Sequence, residues 1–580
     1  MRIAVLVKQV PRFEAMRLGP DGRLQRDGLE LELNPYCRRA VGKGVELAAD
    51  GGTCTVFTLG PPAAEDALRE AIAWGATDAV LITDPAFAGS DTLATARALA
   101  AALRREGPFD LILAGRNSVD ADTGQVGPEV AELLGLPFLA SVRRLEIDGT
   151  TVRAHCEHDD GWVDAETSLP ALLSCAERLC EPAKVDPPGR AAVDAALLRR
   201  LSAADLGPGP WGQAGSPTTV GAVRQLSAPR DGRVLVGALD EQVREAVAVL
   251  RDRGALDPGP ATDSADIVAE PSGGDRRIVV VLEADRPQLA RELLGGAARL
   301  ASDAPGTVVA VGPDPDPDWA RWGADEITRL TGSSVEEDVA AALGRSFAAR
   351  APWAVLAGGT VWGREVLARV AARCSGGLTG DAVDVDIHDG ELVGWKPAFG
   401  GSLVAAVTAT SSIRLVTVRP GVLAMAKPRA ARSVPTTTLD VPAAGRVRHL
   451  ASGREDEIGR LARAGVVIGI GSGVAPDDYP ALDGLLAALG AELAATRKVT
   501  DKGFQPRSRQ VGITGLSIGP RLYVALGVSG KFNHMVGVRG AGVVLAINVD
   551  AGAPVFAGAD LGIVADWRDA VPLLVDALTA

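Results

Sequence analysis

Two glycine-rich stretches carry the groups with which this chain can do chemistry. The first, Asp120-Ala121-Asp122-Thr123-Gly124-Gln125-Val126-Gly127-Pro128, places small and polar residues ahead of a helical pattern. The second, Gly527-Val528-Ser529-Gly530, follows the apolar run Leu522 to Leu526. Loops of this kind let backbone N–H groups approach a phosphate, and a helix N-terminus behind them favours the anion. Asp120 and Asp122 suit pairing with a ribose or ordering the loop; they equally suit capping the helix. Asn548 and Asp566 follow two further apolar runs, Val543 to Ile547 and Leu561 to Val564. Ligands of open α/β sheets bind beyond the carboxyl ends of the strands, which is where these polar groups would stand. The six cysteines form no Cys-x-x-Cys pair of the metal-binding kind, so no metal site is expected.

The elements that must position these loops are short buried strands alternating with helices. Residues 2–7 read as a strand, with Pro11 expected to end it, since proline cannot continue a central ladder. Asn34-Pro35-Tyr36-Cys37 reads as a turn before a helix over 38–49. Strands are expected over 54–59, 79–83 and 111–113, and helices over 63–74 and 93–104, the latter capped within Ser90-Asp91-Thr92. This alternation indicates parallel βαβ units. The pattern then recurs. Trp74-Gly75-Ala76-Thr77-Asp78 is echoed 248 positions on by Trp322-Gly323-Ala324-Asp325-Glu326, and Leu113-Ala114-Gly115 is echoed 243 positions on by Leu356-Ala357-Gly358. Two matches at nearly one offset imply two related α/β domains, near 1–190 and 276–440. Between them, 183–215 reads as an exposed extended segment. A helix over 240–253 carries Val243, Ala246, Val247 and Leu250 on one face. The Pro- and Gly-rich stretch 256–274 lacks apolar periodicity and reads as a linker, with a fresh strand from Arg277.

With 580 residues the chain exceeds one core, and three or four domains are expected. The net charge of −13 argues against nucleic acid or an anionic membrane as the main partner. The cysteines fit a reduced, cytoplasmic setting, and the first apolar run is too short for a signal peptide or a membrane span.

Over residues 497–566, Val511-Gly512-Ile513-Thr514-Gly515, Ser529-Gly530-Lys531-Phe532-Asn533-His534, Ala546-Ile547-Asn548 and Asp560-Leu561-Gly562-Ile563-Val564-Ala565-Asp566 resemble the FAD domain of the electron transfer flavoprotein alpha subunit. Residues 1–256 resemble the beta subunit through Val7-Lys8-Gln9-Val10-Pro11, Asn34-Pro35-Tyr36-Cys37, Ser90 to Ala96 and Gly115 to Pro128. The resemblance therefore implies a beta–alpha fusion. Its fold would be two related parallel-sheet, nucleotide-binding-like α/β domains plus a C-terminal doubly wound α/β domain. The expected boundaries are 1–256, a linker at 257–275, 276–455, and the FAD-binding part at 456–580.

The resemblance also assigns sites. Arg497, Thr514 and His534 match residues beside the isoalloxazine ring: an arginine that favours anionic reduced forms, a threonine near N5, and a histidine near the N1–C2=O edge. Thr496, Val511, Gly512, Ile513, Ser529, Gly530, Lys531, Phe532, Asn533, Asn548, Asp566 and Trp567 complete the expected FAD site. In the beta-like half, Asn34, Pro35, Tyr36, Cys37, Asp120, Asp122, Thr123, Gln125 and Val126 match the site that holds AMP, or a second FAD in bifurcating members. All flavin-matching residues lie after position 470, so residues 276–580 are expected to retain FAD without the first 256, though more weakly.

The implied function is a soluble electron carrier rather than an enzyme with its own substrate. Flavin-dependent or other dehydrogenases would be the donors and a quinone-linked oxidoreductase the acceptor, with no insertion into the membrane. A bifurcating flavoprotein with a second FAD and an NADH site is the alternative; a non-redox adenine-nucleotide-binding regulator is another. Four positions depart from the family. Ile513 stands for glutamine, Leu516 for lysine, and Gly471-Ser472-Gly473 for Gly-Arg-Gly. At the partner-recognition loop after Pro182, Pro187 stands where the family has an anchoring leucine, which would change partners.

Overall fold

The computed structural model describes residues 1–12, 17–18, 24–25, 29–159, 161–225, 230–257, 263–313, 318–398, 403–454, 460–461, 464–512 and 515–579. They form two compact units. One joins 1–224 with most of 264–453, and the other joins 225–263 with 454–580.

The first unit contains the expected repeat as two sheets of equal topology. In the first sheet the strands Asp78–Ile82, Thr53–Leu59, Arg2–Leu6, Leu111–Gly115 and Ala171–Cys175 lie side by side in that order, all parallel. In the second, Glu326–Gly332, Gly306–Gly312, Arg276–Val281, Ala354–Gly358 and Arg414–Val418 lie in the matching order. Their residues are apolar on both faces because helices cover both sides. Local sequence rules account for the helices. Asp91 caps Thr92–Glu106 by accepting from the Ala94 amide, and Thr360 caps Val361–Cys374 through Gly363.

Three expectations need correction. The central strand ends at Leu6, as expected, but Lys8 to Pro11 is not mere loop. Gln9–Pro11 pairs antiparallel with Leu31–Leu33 in a two-stranded sheet, where a missing N–H is tolerated. The 183–215 segment is not simply extended: it holds short helices and the strand Leu198–Leu201, which pairs with Asp78–Ile82. In the 256–274 stretch, Asp263–Ile267 forms a strand paired with Met425–Lys427.

The second unit is one parallel sheet of six strands: Arg233–Val234, Leu561–Val564, Val543–Asn548, Leu522–Leu526, Val466–Ile470 and Glu492–Ala495. The three strands read from the sequence are among them. Residues 230–257, upstream of the linker, belong to this sheet's unit. Arg233–Val234 extends its edge, and the helix Leu239–Asp252 buries Val243, Ala246, Val247 and Leu250 in the same core as Trp567 and Leu574. Arg230 donates to Asp560 at 2.6 Å and to the Ala541 carbonyl at 2.6 Å. The expected boundary at 256 therefore falls inside this unit, and residues 276–580 alone lack the segment 230–257 that packs into its core. Among the described residues no helix is long and apolar enough to cross a membrane.

Candidate functional site

In the FAD-like unit the glycine loops meet at the carboxyl ends of the central strands. The Gly471 amide donates to the Leu526 carbonyl at 2.9 Å, and the Gly473 amide to the Gly527 carbonyl at 3.2 Å. Backbone lies against backbone here: a side chain on Gly471 would overlap the Gly527 carbonyl. Gly527 and Gly530 both adopt positive φ, +59° and +74°, a conformation that costs other residues free energy. Trp567, buried behind this cradle, donates its indole N–H to the Gly473 carbonyl at 3.2 Å.

The other candidate residues ring the same sheet end. Asn548 donates to the Val528 carbonyl at 2.8 Å and accepts from the Asp550 amide at 2.9 Å, so it staples the loop after Leu522–Leu526. Asp566 accepts from the Arg568 amide at 2.9 Å and pairs with its guanidinium at 3.3 Å. Ser529, Lys531 and Asn533 are exposed. Thr496 precedes the short helix Arg497–Asp501, and Arg497 is half exposed, its Nε 3.1 Å from Asp501. Gly512 has φ of +137°. Ile513 and Thr514, and the Phe532 side chain, lie outside the described residues. A bare glycine cradle, exposed polar and cationic side chains and a parallel-sheet switch fit a dinucleotide with an anionic pyrophosphate.

His534 is 7% exposed, and both its ring nitrogens are engaged. Nδ1 lies 3.1 Å from the Val511 carbonyl and Nε2 lies 2.6 Å from the Tyr523 hydroxyl. Burial, partly offset by the Val511 carbonyl, holds the imidazole down to about 4, so it is neutral at pH 7.

The beta-like half assembles the expected nucleotide loop around the carboxyl ends of Arg2–Leu6 and Leu111–Gly115. Asn34, fully buried, donates to the Asn117 carbonyl at 2.9 Å and accepts from the Val119 amide at 3.1 Å. Pro35 opens the helix Pro35–Ala48. The Tyr36 hydroxyl accepts from Arg116 at 3.1 Å, and that guanidinium lies 5.0 Å from the ring centroid. Burial pushes the Cys37 thiol up, which leaves it inert. Asp120 is 5% exposed and held by Lys8. Asp122 sits at φ of +46° with its carboxylate taking the Asn117 amide, and Gly124 follows at +65°. Thr123 leads to Gln125 and to the helix Val126–Leu134.

Gln125 is 1% exposed. Its Oε1 accepts from Thr92 at 2.9 Å, whose hydroxyl is also 3.1 Å from Glu129. Burial raises Glu129 well above the usual carboxylate range. The Thr92 hydroxyl thus faces two acceptors, Gln125 and Glu129. The Gln125 Nε2 then has no partner among the described residues, nor has the Asn117 Oδ1. A buried donor and acceptor on one loop are the polar groups a ligand would satisfy. Sequence reasoning missed Lys8, Thr92 and Glu129. Lys8 and Thr92 lay within quoted motifs, but only the fold brings them to the loop.

Comparison with known proteins agrees with this layout. The electron transfer flavoprotein domain matches residues 21–198 and again 279–444, and the electron transfer flavoprotein FAD-binding domain matches 460–539. The beta subunit of the electron transfer flavoprotein of Thermoanaerobacterium thermosaccharolyticum is 37% identical over 258 residues, 44% of this chain and 99% of that protein. The caffeyl-CoA reductase-Etf complex subunit CarD of Acetobacterium woodii is 38% identical over 185 residues, 31% of this chain and 71% of that protein. Protein FixB of Bradyrhizobium diazoefficiens is 38% identical over 237 residues, 40% of this chain and 64% of that protein. With two flavoprotein domains of one kind folded as a repeat and the FAD-binding domain behind them, the chain belongs to the electron transfer flavoprotein family, as a beta-like part fused to an alpha-like part.

Proposed function

We propose that the chain carries single electrons between a dehydrogenase and a quinone-linked oxidoreductase through one FAD, with AMP held in the beta-like half. The observation that carries this reading is the cradle of Gly471–Gly473 against Gly527–Gly530 at the carboxyl ends of parallel strands. FAD supplies the one- and two-electron chemistry when bound. The chain's own residues bind and tune it. Backbone amides of the glycine loops other than those of Gly471, Gly473 and Gly527, which are bonded to carbonyls, would take the pyrophosphate, and Asn548 and Asp566 would stand on the adenosine and ribose side. Arg497 would supply positive charge beside the ring, and Thr514 and His534 are the other residues that match ring-side positions. Ser472 in place of arginine leaves Arg497 with a larger share of that charge.

A second reading is supported by the likeness to a subunit of a caffeyl-CoA reductase complex and by the unsatisfied Gln125 and Asn117 groups: the beta-like half holds a second FAD and the protein bifurcates electrons. Releasing and quantifying the cofactors of the native protein separates the readings. One FAD and one AMP per chain supports the carrier, and two FAD support bifurcation. A colourless protein that takes up no FAD overturns both and leaves an adenine-nucleotide-binding regulator.

A further inference from the structure

Tyr523 is the second residue of the central strand Leu522–Leu526 and is fully buried. A phenylalanine would fill the same volume, and a buried hydroxyl is costly unless bonded. The hydroxyl is bonded to His534 Nε2 at 2.6 Å. Room for it comes from the neighbouring strand: any side chain on Gly469 would overlap the Tyr523 hydroxyl and ring. Glycine weakens a strand interior, so its presence in Val466–Ile470 marks a close approach. On the other side of the imidazole, the Val511 carbonyl can only accept, so Nδ1 carries the hydrogen. A neutral ring then has a bare Nε2, and the tyrosine hydroxyl is its donor. The same imidazole ties the 511–512 and 533–534 segments together through the Val511 carbonyl, and beside it a side chain on Gly512 would meet the Asn533 carbonyl.

We propose that Tyr523 is a positioning residue for the flavin site, acting through His534: with Gly469 making room, its hydroxyl fixes the imidazole as the Nδ1–H tautomer and so holds the 511–512 and 533–534 segments in register. This rests on the FAD reading above. The hydroxyl plays the part that outer hydrogen-bond partners play behind histidine ligands elsewhere, where they set tautomer and ring orientation.

The test uses the full chain with 15N-labelled histidine, whose five histidines allow the His534 signals to be assigned by loss in His534→Gln. Wild type should show a single Nδ1–H tautomer with a hydrogen-bonded Nε2. Tyr523→Phe should move the Nε2 resonance to that of an unbonded nitrogen and weaken FAD about tenfold, the size expected for one lost buried hydrogen bond. In a His534→Ala background, or His534→Gln should that variant not fold, Tyr523→Phe should change FAD affinity less than twofold. An unmoved Nε2 resonance, or an equal FAD effect with and without His534, overturns the proposal. Wild type that takes up no FAD sinks the FAD reading and with it the tenfold arm, while the Nε2 resonance still decides the pairing.

Discussion

The ammonium of Lys8 holds both carboxylate oxygens of Asp120, at 2.8 and 2.7 Å, joining residues 112 apart in the chain. Lys8 follows the first strand, Arg2–Leu6, and Asp120 opens the glycine-rich loop 120–128. The pair orders the loop, which is one of the roles the sequence left open for Asp120. Lys8→Met should leave a nine-tenths buried carboxylate without its cation and destabilise the loop by about 1–3 kcal/mol. We expect the beta-side nucleotide to be lost while FAD is kept. Nucleotide content after denaturing extraction is the check; loss of FAD with AMP retained would reverse the two site assignments. Asp122→Ala with Gln125→Ala should give the same separation.

Arg497 shares its charge with Asp501 at the surface, where such a pair is worth roughly 0–1 kcal/mol. Arg497→Ala should therefore hardly change stability. Near a reduced flavin the same cation should be worth on the order of 1–3 kcal/mol, or roughly 40–130 mV for one electron. The variant should lower the flavin potential by that amount, Arg497→Lys should recover part, and Asp501→Asn should raise the potential. A redox titration that finds no shift in any of the three removes Arg497 from flavin tuning.

Because burial depresses His534 to about 4, the folded state stays neutral where an unfolded histidine, near 6.5, takes a proton. The unfolded state alone gains protons as pH falls through this window. The contribution is complete above about pH 6.5 and lost progressively down to about pH 4, by on the order of 3 kcal/mol. His534→Gln should flatten that part of the stability profile of the FAD unit. Denaturant midpoints between pH 4 and 7 read the difference, and parallel profiles would count against it.

Arg230 and Arg253 both reach the buried Asp560, at 2.6 and 3.3 Å, and the same carboxylate accepts from the Val544 amide at 2.8 Å. Removing Arg230 should cost about 2–4 kcal/mol. Residues 454–580 expressed without 225–257 should fail to give a cooperative unfolding transition, and adding the segment back should restore one. A stable, FAD-binding 454–580 fragment would show that the segment is dispensable.

Arg369 is fully buried and bonded to Glu365 at 2.9 Å and Glu132 at 3.1 Å, joining the helices Val361–Cys374 and Val126–Leu134. Arg369→Met should destabilise the first unit by about 3–5 kcal/mol. Adding Glu365→Leu should recover part of this, since Glu132 keeps Arg373, and Glu337, 3.9 Å from the Arg369 guanidinium, keeps Arg446. A single-variant midpoint within 0.5 kcal/mol of wild type, on the scale of ordinary surface substitutions, would show that the network carries little stability.

The sequence by itself determined what depends on neighbours along the chain. Apolar runs bounded by glycine and polar residues marked Leu522–Leu526, Val543–Asn548 and Leu561–Val564, because a strand covered on both faces must be apolar throughout. Periodicity named all four buried residues of Leu239–Asp252. The echo near 248 residues exposed the repeat, since equal turns need equal turn residues. Tertiary structure alone decided which surfaces meet. The two-residue strand Arg233–Val234 has no period to read, and only the open edge of Leu561–Val564 makes it a strand. Asn34 and Asn548 matched ligand-side positions by type, yet their amides are spent on the loops, because donors and acceptors find partners in space. The same holds for His534. Its motif could be read from the chain, but its tautomer was set by a carbonyl 23 residues upstream and a hydroxyl 11 residues upstream, on segments the fold brings to opposite edges of one ring.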